Sequence, residues 1–208
     1  MDYKALFLET MMQPMQAAQK IIGLGVKREV LWTALVLVAL LNAIQFSLSF
    51  QLSEVAVPAE LPAEEQALFQ FFMSMAERPI IFTMLLASSL VISVFVLSWV
   101  GRMLGGSGEL PEVLAVVTWW QIIGFAIGLV LWVLGFILLP LAGLLSFITN
   151  IWLLYAVSGL LAGAHRFRSP LGGLGTIMLS LLLFAIGLTF ALVILGIGAG
   201  AGAGGTNV

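Results

Sequence analysis

The chain has 208 residues, of which 62% are hydrophobic and only 9% are charged, and its mean hydropathy is +1.17. Soluble domains are about 45–50% apolar and roughly 25% charged, so this composition excludes a water-soluble fold and also a disordered chain. The net charge of −2 excludes a strongly basic nucleic-acid binder, and the lack of cysteine excludes disulfides, thiolate nucleophiles and cysteine-based metal sites. A membrane protein with one domain is the class that remains.

The first 29 residues precede the first long apolar run. Within them, residues 3–22 place Leu8, Met12 and Met15 at helical spacing, and Pro14 divides the stretch. This pattern predicts an amphipathic helix on the cytoplasmic membrane surface. The apolar run that follows is longer than the core of a signal peptide and has no cleavage motif close behind it, so we interpret it as a retained span.

Five apolar segments are long enough to cross a bilayer, which requires about 20 residues per helix. Residues 113–163 carry no charge, and as one helix they would extend roughly 77 Å, more than twice the thickness of the hydrocarbon core. Pro140 divides them into two spans joined by a tight hairpin. The predicted spans are residues 30–50, 80–104, 113–139, 141–163 and 174–197. The predicted fold class is all-α, a polytopic bundle of five transmembrane helices with short interfacial helices.

Two further segments lie outside the spans. Residues 64–78 place Leu68 and Phe69 among acidic residues, which predicts a short amphipathic helix that lies on the outer surface or packs over the span ends. Residues 198–208 are rich in Gly and Ala and are predicted to be a flexible tail. The chain is therefore divided into an N-terminal segment (1–29), a membrane domain (30–197) and this tail (198–208).

Basic residues indicate the orientation, because Lys and Arg are enriched in cytoplasmic loops. With a cytoplasmic N-terminus, seven of the eight basic residues fall on that side: Lys4, Lys20, Lys27, Arg28, Arg102, Arg166 and Arg168. Only Arg78 falls on the opposite side, among acidic residues. An odd number of spans then places the C-terminus outside.

No Asp, Glu, Lys, Arg or His lies in the middle of a predicted span, which argues against ion-coupled transport. Uncharged amides do occur there: Asn42 and Gln45 in the first span, Gln121 in the third and Asn150 in the fourth. Such side chains either hydrogen-bond between helices or line a polar path for a substrate, and we favour the first interpretation.

Glycines recur at a spacing of four residues, which lets helix backbones approach closely. The pairs are Gly101 and Gly105, Gly124 and Gly128, and Gly159 and Gly163. We favour packing within the bundle over a dimerisation surface. The third span continues its glycine stripe to Gly135 and is predicted to be the central helix.

Catalytic and cofactor motifs fail on inspection. The glycine-rich stretch 101–107 lacks the lysine of a P-loop, and no G-x-S-x-G motif is present. His165 is the only histidine and has no partners for a metal site, so it is predicted to lie at headgroup level beside Arg166 and Arg168. We therefore expect no enzymatic activity, no metal and no cofactor.

Two stretches resemble bacterial Yip1-domain proteins. Residues 99–121, WVGRMLGGSGELPEVLAVVTWWQ, resemble the loop between the second and third spans of that family. The stretch with Trp152, Tyr155 and His165-Arg166-Phe167 resembles the family pattern W-x-L-Y…G-L…H-G-F-S, with Arg166 in place of the usual small residue. The resemblance covers residues 34–197. It implies five spans with a cytoplasmic N-terminus and an external C-terminus, here in a bacterial inner membrane with the C-terminus in the periplasm.

The resemblance and the lack of catalytic motifs favour a non-enzymatic protein for membrane organisation or for scaffolding other membrane proteins. The alternative is a translocator of small molecules or lipids, with a path beside Asn42, Gln45, Gln121 and Asn150. The expected partners are the lipid bilayer, other membrane proteins or a second copy of the chain, and no nucleic acid. Eukaryotic Yip1 relatives are associated with small GTPases through longer N-terminal regions, so that role is not carried over to a segment of 29 residues.

Overall fold

The computed structural model describes residues 3–52 and 62–194, and within them it contains eight α-helices and no strand. In chain order they are α1 (Tyr3–Met12), α2 (Pro14–Gly23), α3 (Arg28–Leu52), α4 (Ala63–Ala76), α5 (Pro79–Met103), α6 (Leu110–Ile137), α7 (Leu139–Ala164) and α8 (Pro170–Ile194). Five of them, α3, α5, α6, α7 and α8, are long and apolar enough to cross a membrane. The predicted all-α bundle with five spanning helices is confirmed. The predicted tail, residues 198–208, lies outside the described residues.

Prolines determine where most of the helices begin. Each of α2, α5, α6, α7 and α8 has a proline in its first turn: Pro14, Pro79, Pro111, Pro140 and Pro170. Proline fits there because the first amides of a helix have no partner within it. For the same reason the chain breaks at Leu138, just before α7, and not at Pro140 as the sequence predicts.

The two ends of the bundle differ in charge. α3, α6 and α8 begin at the end where α5 and α7 finish, and we call it the basic end because it carries Lys27, Arg28, Arg102 and Arg166. The connections at this end are joined to each other, because the amide of Ser107 in the α5–α6 loop donates to the carbonyl of His165 after α7, at 3.0 Å.

The buried core is concentrated towards the basic end. Its large, fully buried side chains include Leu35, Val94, Val100, Val113, Leu114, Val116, Leu160 and Leu161. At the opposite end, Ile80, Ile137 and Leu139 are at least 70% exposed. These surfaces are suited to lipid contact, because lipid tails are as apolar as the side chains themselves.

α1 and α2 form a sharp bend at Gln13, whose φ of −140° and ψ of 63° are not helical. Lys20 on α2 makes an ion pair with Glu9 on α1 at 2.7 Å. In one straight helix these residues would be roughly 16 Å apart along the axis, beyond the reach of such a pair. The segment predicted to be one surface helix is therefore a bent pair of helices.

α2 packs directly against the last turns of α7. A Cβ added at Gly163 would lie 2.5 Å from the Cβ of Ala18 and 2.6 Å from the carbonyl oxygen of Met15. The side-chain amide of Gln19 donates to the carbonyl of Gly163 at 2.7 Å. Ala17 and Ala18 are completely buried by this contact. The N-terminal segment is thus part of the bundle.

The bend between α1 and α2 contacts α6 and α7 at some distance from their ends at the basic end. The indole of Trp152 on α7 donates to the carbonyl of Met11 at 3.2 Å, and that of Trp119 on α6 donates to the hydroxyl of Thr10 at 3.0 Å. Trp152 precedes Gly163 by eleven residues, or about 16 Å of helix axis. The α1 side of the bend therefore packs against α6 and α7 several turns away from the basic end, while Met12 at the bend remains exposed.

α4 covers the far end of α3. The hydroxyl of Ser47 on α3 donates to the carbonyl of Ala76 at 2.5 Å, and the rings of Phe50 and Phe69 are 6.5 Å apart. The sequence left open whether this acidic segment lies on the outer surface or packs over the span ends. Its contacts with α3 correspond to packing over a span end.

Candidate functional site

Three of the four predicted amide residues share one cavity. Asn42 and Gln45 on α3 and Gln121 on α6 line a space of about 450 Å³ between α3, α5 and α6. The rest of its wall includes Ser89 on α5 and the rings of Phe46 and Phe82. The sequence placed these amides on separate spans, and the structure brings them together at similar depth.

These amides are poorly supplied with protein hydrogen bonds. The side-chain nitrogen of Asn42 donates to the carbonyl of Val38, one turn earlier on the same helix, at 2.9 Å. Among the described residues, the side chains of Gln45 and Gln121 make no hydrogen bond. Within the described part of the chain, these three side chains thus form no hydrogen bond between helices, and their remaining polar atoms are left for whatever fills the cavity.

Asn150 lies elsewhere. It is exposed on α7, and its amide donates to the carbonyl of Ser146 on the same helix at 2.8 Å. It lines a mostly apolar cavity of about 410 Å³ between α5, α7 and α8, and a second cavity of about 600 Å³ between α6 and α7. The four amides predicted as one path are therefore divided between separate cavities.

His165 lies directly after the end of α7 at the basic end, and its side chain is buried within the protein. Its exposed fraction is 1%. A Cβ added at Gly101 would overlap the imidazole ring, and one at Gly106 or Gly108 would lie 2.7 Å from His165 atoms. These glycines come from the end of α5 and from the α5–α6 loop. We call this arrangement the glycine cage: Gly101, Gly106 and Gly108 around His165.

The imidazole of His165 has an unusual polar environment for a buried group. Neither ring nitrogen has a hydrogen-bond partner within the described part of the chain. The carbonyl of Leu97 lies near enough to favour the protonated ring without reaching hydrogen-bond geometry. The ring also packs on Phe167, with centroids 5.7 Å apart. The cage leaves the ring in contact with backbone and carbon atoms.

Two helix ends of the same type meet at the glycine cage. At the end of α5, the amide of Gly106 donates to the carbonyl of Gly101, and Gly105 has a φ of +86°. At the end of α7, the amide of Phe167 donates to the carbonyl of Ala162, and Arg166 has a φ of +58°. Both are Schellman motifs, which place a residue in the left-handed region just after the helix.

Arg166 combines this backbone conformation with an ion pair. Its guanidinium contacts Glu112 at the beginning of α6 at 2.5 Å and donates to the carbonyl of Ser107 at 3.1 Å. The ion pair with Glu112 raises the pKa of Arg166 above its ordinary value. Glu112 also accepts from the amide of Glu109 at 2.8 Å and so caps α6. Arg166 thus connects the end of α7 to the loop and to the next helix.

The family model for the Yip1 domain matches residues 8–194. The chain belongs to the Yip1 family. The match extends from α1 to the last residue of α8, so the Yip1 domain includes the bent N-terminal helices as well as the five spans. No curated protein and no solved structure matches the chain.

The positive φ at Arg166 would suit a glycine, the small residue that the resemblance to an H-G-F-S pattern implies at this position. The left-handed region favours glycine, and an arginine there is strained. We expect Arg166→Gly to unfold at a higher temperature than Arg166→Ala by about 2–4 °C, because both lose the ion pair but only glycine removes the strain. Thermal unfolding of the purified variants measures this difference. Equal midpoints would show that the strain has no cost.

Burial lowers the pKa of His165 below its ordinary value of 6.5, with nearby Arg102 and Arg166 contributing and Glu112 and the Leu97 carbonyl acting in the opposite direction. The unfolded chain therefore binds this proton more readily than the folded chain does. The stability that the neutral ring contributes is present above pH 6.5 and is lost as the pH falls from there towards the folded-state pKa.

We expect the wild-type unfolding temperature to fall between about pH 7 and pH 5.5, and His165→Gln to remove most of that fall. The matched control is Glu112→Gln, which changes a neighbouring charge and keeps the imidazole. Parallel pH profiles for the wild type and His165→Gln would contradict the assignment.

The predicted glycine pairs differ in what surrounds them. Gly101, Gly159 and Gly163 face close neighbours, which are His165, Pro14 and Ala18 respectively. An added Cβ at Gly105, Gly124 or Gly128 would meet nothing within 4 Å. Gly124 and Gly128 instead line the cavity between α6 and α7, together with Gly135. In the described residues, no group of three or more His, Asp and Glu side chains is placed to hold a metal ion.

Proposed function

We propose that this Yip1-domain protein catalyses no reaction and acts in membrane organisation or as a scaffold for other membrane proteins. The observation that supports this proposal is the construction of the basic end. There α2, the α5–α6 loop and the end of α7 are locked together by the glycine cage and by the contact of Gly163 with Ala18. The result is a fixed platform for a partner.

The platform carries exposed charge. Lys20, Arg28, Arg102 and Arg168 are exposed at this end, as is Glu109. We propose that this end faces the cytoplasm of a bacterium, with the C-terminus in the periplasm, because basic residues are retained on the cytoplasmic side. The chain has no cysteine, so Ser107→Cys gives a single thiol at this end. Labelling of that thiol by an impermeant maleimide only after the cell is opened is the expected result; labelling of intact spheroplasts would reverse the orientation.

Site-specific photocrosslinking in native membranes tests the scaffold. A photoreactive residue at Arg168 or Arg102 should capture the same protein, and one at Phe147, which is 66% exposed on α7, should capture lipid. Arg102→Glu should reduce the capture from position 168, since it reverses a charge of the platform. Capture of lipid alone from all three positions would overturn the proposal.

A second candidate function is translocation of a small molecule or a lipid. The cavity shared by Asn42, Gln45 and Gln121 supports it, because these amides line one space in the interior of the membrane domain. The sharpest test is flux through proteoliposomes that contain Asn42→Ala/Gln121→Ala, with Asn150→Ala as the control in a different cavity. Loss of flux in the double variant alone supports the path, and unchanged flux removes it.

A further inference from the structure

The cavity between α3, α5 and α6 contains more hydrogen-bonding capacity than the protein satisfies. Gln45 and Gln121 each present two amide hydrogens and a carbonyl oxygen without a partner among the described residues, and Asn42 presents its carbonyl oxygen and one amide hydrogen. An unpaired polar group in hydrocarbon costs several kcal/mol. An acyl chain would therefore be a poor occupant, and the cavity requires one that forms hydrogen bonds.

The amides lie near the middle of their helices. Asn42 precedes the end of α3 at Leu52 by ten residues, and Ser89 follows the beginning of α5 at Pro79 by ten residues. Each is therefore about 15 Å from a helix end, or half of a hydrocarbon core near 30 Å. The lipid at this depth supplies no hydrogen-bonding partner, so only an occupant of the cavity itself can pair with these amides.

The lining restricts the charge of the occupant. No Asp, Glu, Lys, Arg or His is among the described residues that line this cavity. A charged group at this depth would lack a counter-charge and would be costly. Asn42 and Gln45 are close to one turn apart on α3, and Gln121 lies across the cavity on α6, so one isolated polar atom could not satisfy all of them. The occupant must be uncharged and must carry several hydrogen-bonding groups.

We propose that this cavity binds an uncharged, hydroxyl-rich group, such as a sugar or another polyol. Each hydroxyl donates one hydrogen bond and accepts two, which matches amides that present both donors and acceptors. The apolar part of the wall includes Ala39, Leu86 and Leu90 and the rings of Phe46 and Phe82. These two rings are 4.8 Å apart and suit the C–H faces of a sugar ring. The volume of about 450 Å³ would hold about 15 waters at roughly 30 Å³ each, so it has room for a group with several polar atoms.

The hydroxyl-rich group has two possible sources, a glycolipid headgroup and a free sugar. Binding goes beyond the scaffold proposal and does not require that the ligand crosses the membrane. A protein that binds without flux would retain this inference and lose the second candidate function. The two proposals therefore fail separately.

A single thiol in the cavity wall reports occupancy. Ser89→Cys changes one atom of a residue that lines this cavity and also the neighbouring cavity between α5, α7 and α8, in a chain with no other cysteine. Its protection therefore reports on this cavity only where Ser93→Cys, which lines the neighbouring cavity alone, is not protected. The thiolate is the reactive species, and its reaction with a small maleimide slows when a ligand covers it. The protein is placed in nanodiscs of phosphatidylcholine alone, or with monoglucosyl diacylglycerol, or with phosphatidylglycerol. Glucose in the buffer of the first preparation provides the arm for a free sugar.

Glucosyl lipid or glucose, at about ten times its Kd, should slow the alkylation of Cys at position 89 about tenfold. Protection by the lipid alone assigns a headgroup, and protection by glucose as well assigns a soluble sugar. Phosphatidylglycerol should give no protection, because its phosphate is charged. The control thiol, Ser93→Cys, lines only the neighbouring cavity and should react at the same rate throughout.

Variants separate hydrogen bonding from simple crowding. Gln45→Leu/Gln121→Leu, made with Ser89→Cys, should reduce the protection to less than about twofold, because the polar partners are gone while the space remains. Asn150→Leu removes an amide outside this cavity and should keep the protection. Absence of protection by both sugars, equal protection by phosphatidylglycerol, or protection that survives the double substitution would each overturn the proposal.

Discussion

Replacement of Gly101 by alanine is expected to lower the free energy of unfolding by about 1–3 kcal/mol. The added Cβ would overlap the imidazole of His165, and the ring cannot move away because Gly106 and Gly108 lie close against it. His165 is also attached directly to the end of α7, so its displacement would disturb both helix ends at the glycine cage. Unfolding of the purified protein in mixed micelles measures the effect.

Gly124→Ala is the matched control for this substitution. Gly124 lies in the interior of α6, where an added Cβ meets nothing within 4 Å, so the higher helix propensity of alanine should leave stability unchanged or raise it by up to about 1 kcal/mol. The double variant Gly101→Ala/His165→Ala should be less unstable than the sum of the single changes, because the ring that collides has been removed. Additive effects, or equal effects at both glycines, would contradict the cage.

Gly163→Val is expected to release α2 from α7. The new side chain would enter the space of the Ala18 Cβ and the Met15 carbonyl, and part of that obstacle is backbone that cannot rotate away. The helix must therefore separate and lose the hydrogen bond from Gln19 to Gly163. Ala17→Cys, at a completely buried position of α2, provides the measurement, and its maleimide labelling should accelerate by about tenfold or more as the segment opens.

The same helix supplies the control. An added Cβ at Gly143 of α7 would meet nothing within 4 Å, so Gly143→Val should leave the labelling of position 17 slow. Mild proteolysis gives a second measurement, with cleavage near Leu24 increasing only in Gly163→Val. Slow labelling in both variants would show that α2 is held by contacts other than those with Gly163.

The spans were accessible to sequence reasoning because burial in lipid imposes a long apolar run and because proline marks the helix starts. Residues 113–163 had to be two helices, and α6 and α7 are those helices. The environment of His165 was not accessible, because its burial depends on three glycines at the end of α5 and in the next loop. Glycine in this stretch permits the chain reversal after α5, and its small size also makes room for the ring. The Gly-Gly-Ser-Gly stretch and the H-x-F stretch both carry the family resemblance. Considering the two stretches together could have indicated the contact between these glycines and His165.

For the four amide side chains, too, one property could be predicted from the sequence and another could not. Their depth follows from their positions along each span, and Asn42 and Gln121 lie far from the ends of α3 and α6. Which amides share a cavity depends on how each helix is rotated about its axis. The hydrophobic pattern of a helix that is apolar all round does not specify this rotation. Asn150 therefore lines a different cavity from Asn42, although the sequence offered both equally as members of one polar path.

The contact between α2 and α7 imposes an order on the assembly of the protein. α2 ends at Gly23, and the surface that it covers belongs to residues about 140 positions later in the chain, as the contact of Gln19 with Gly163 shows. Synthesis proceeds from the N-terminus, so the first helices leave the ribosome long before their partner exists. Three spanning helices must be made while Ala17, Ala18 and Ile21 still lack their final neighbours. α1 and α2 are therefore synthesised well before α7 and reach their native contacts only after α7 has been made.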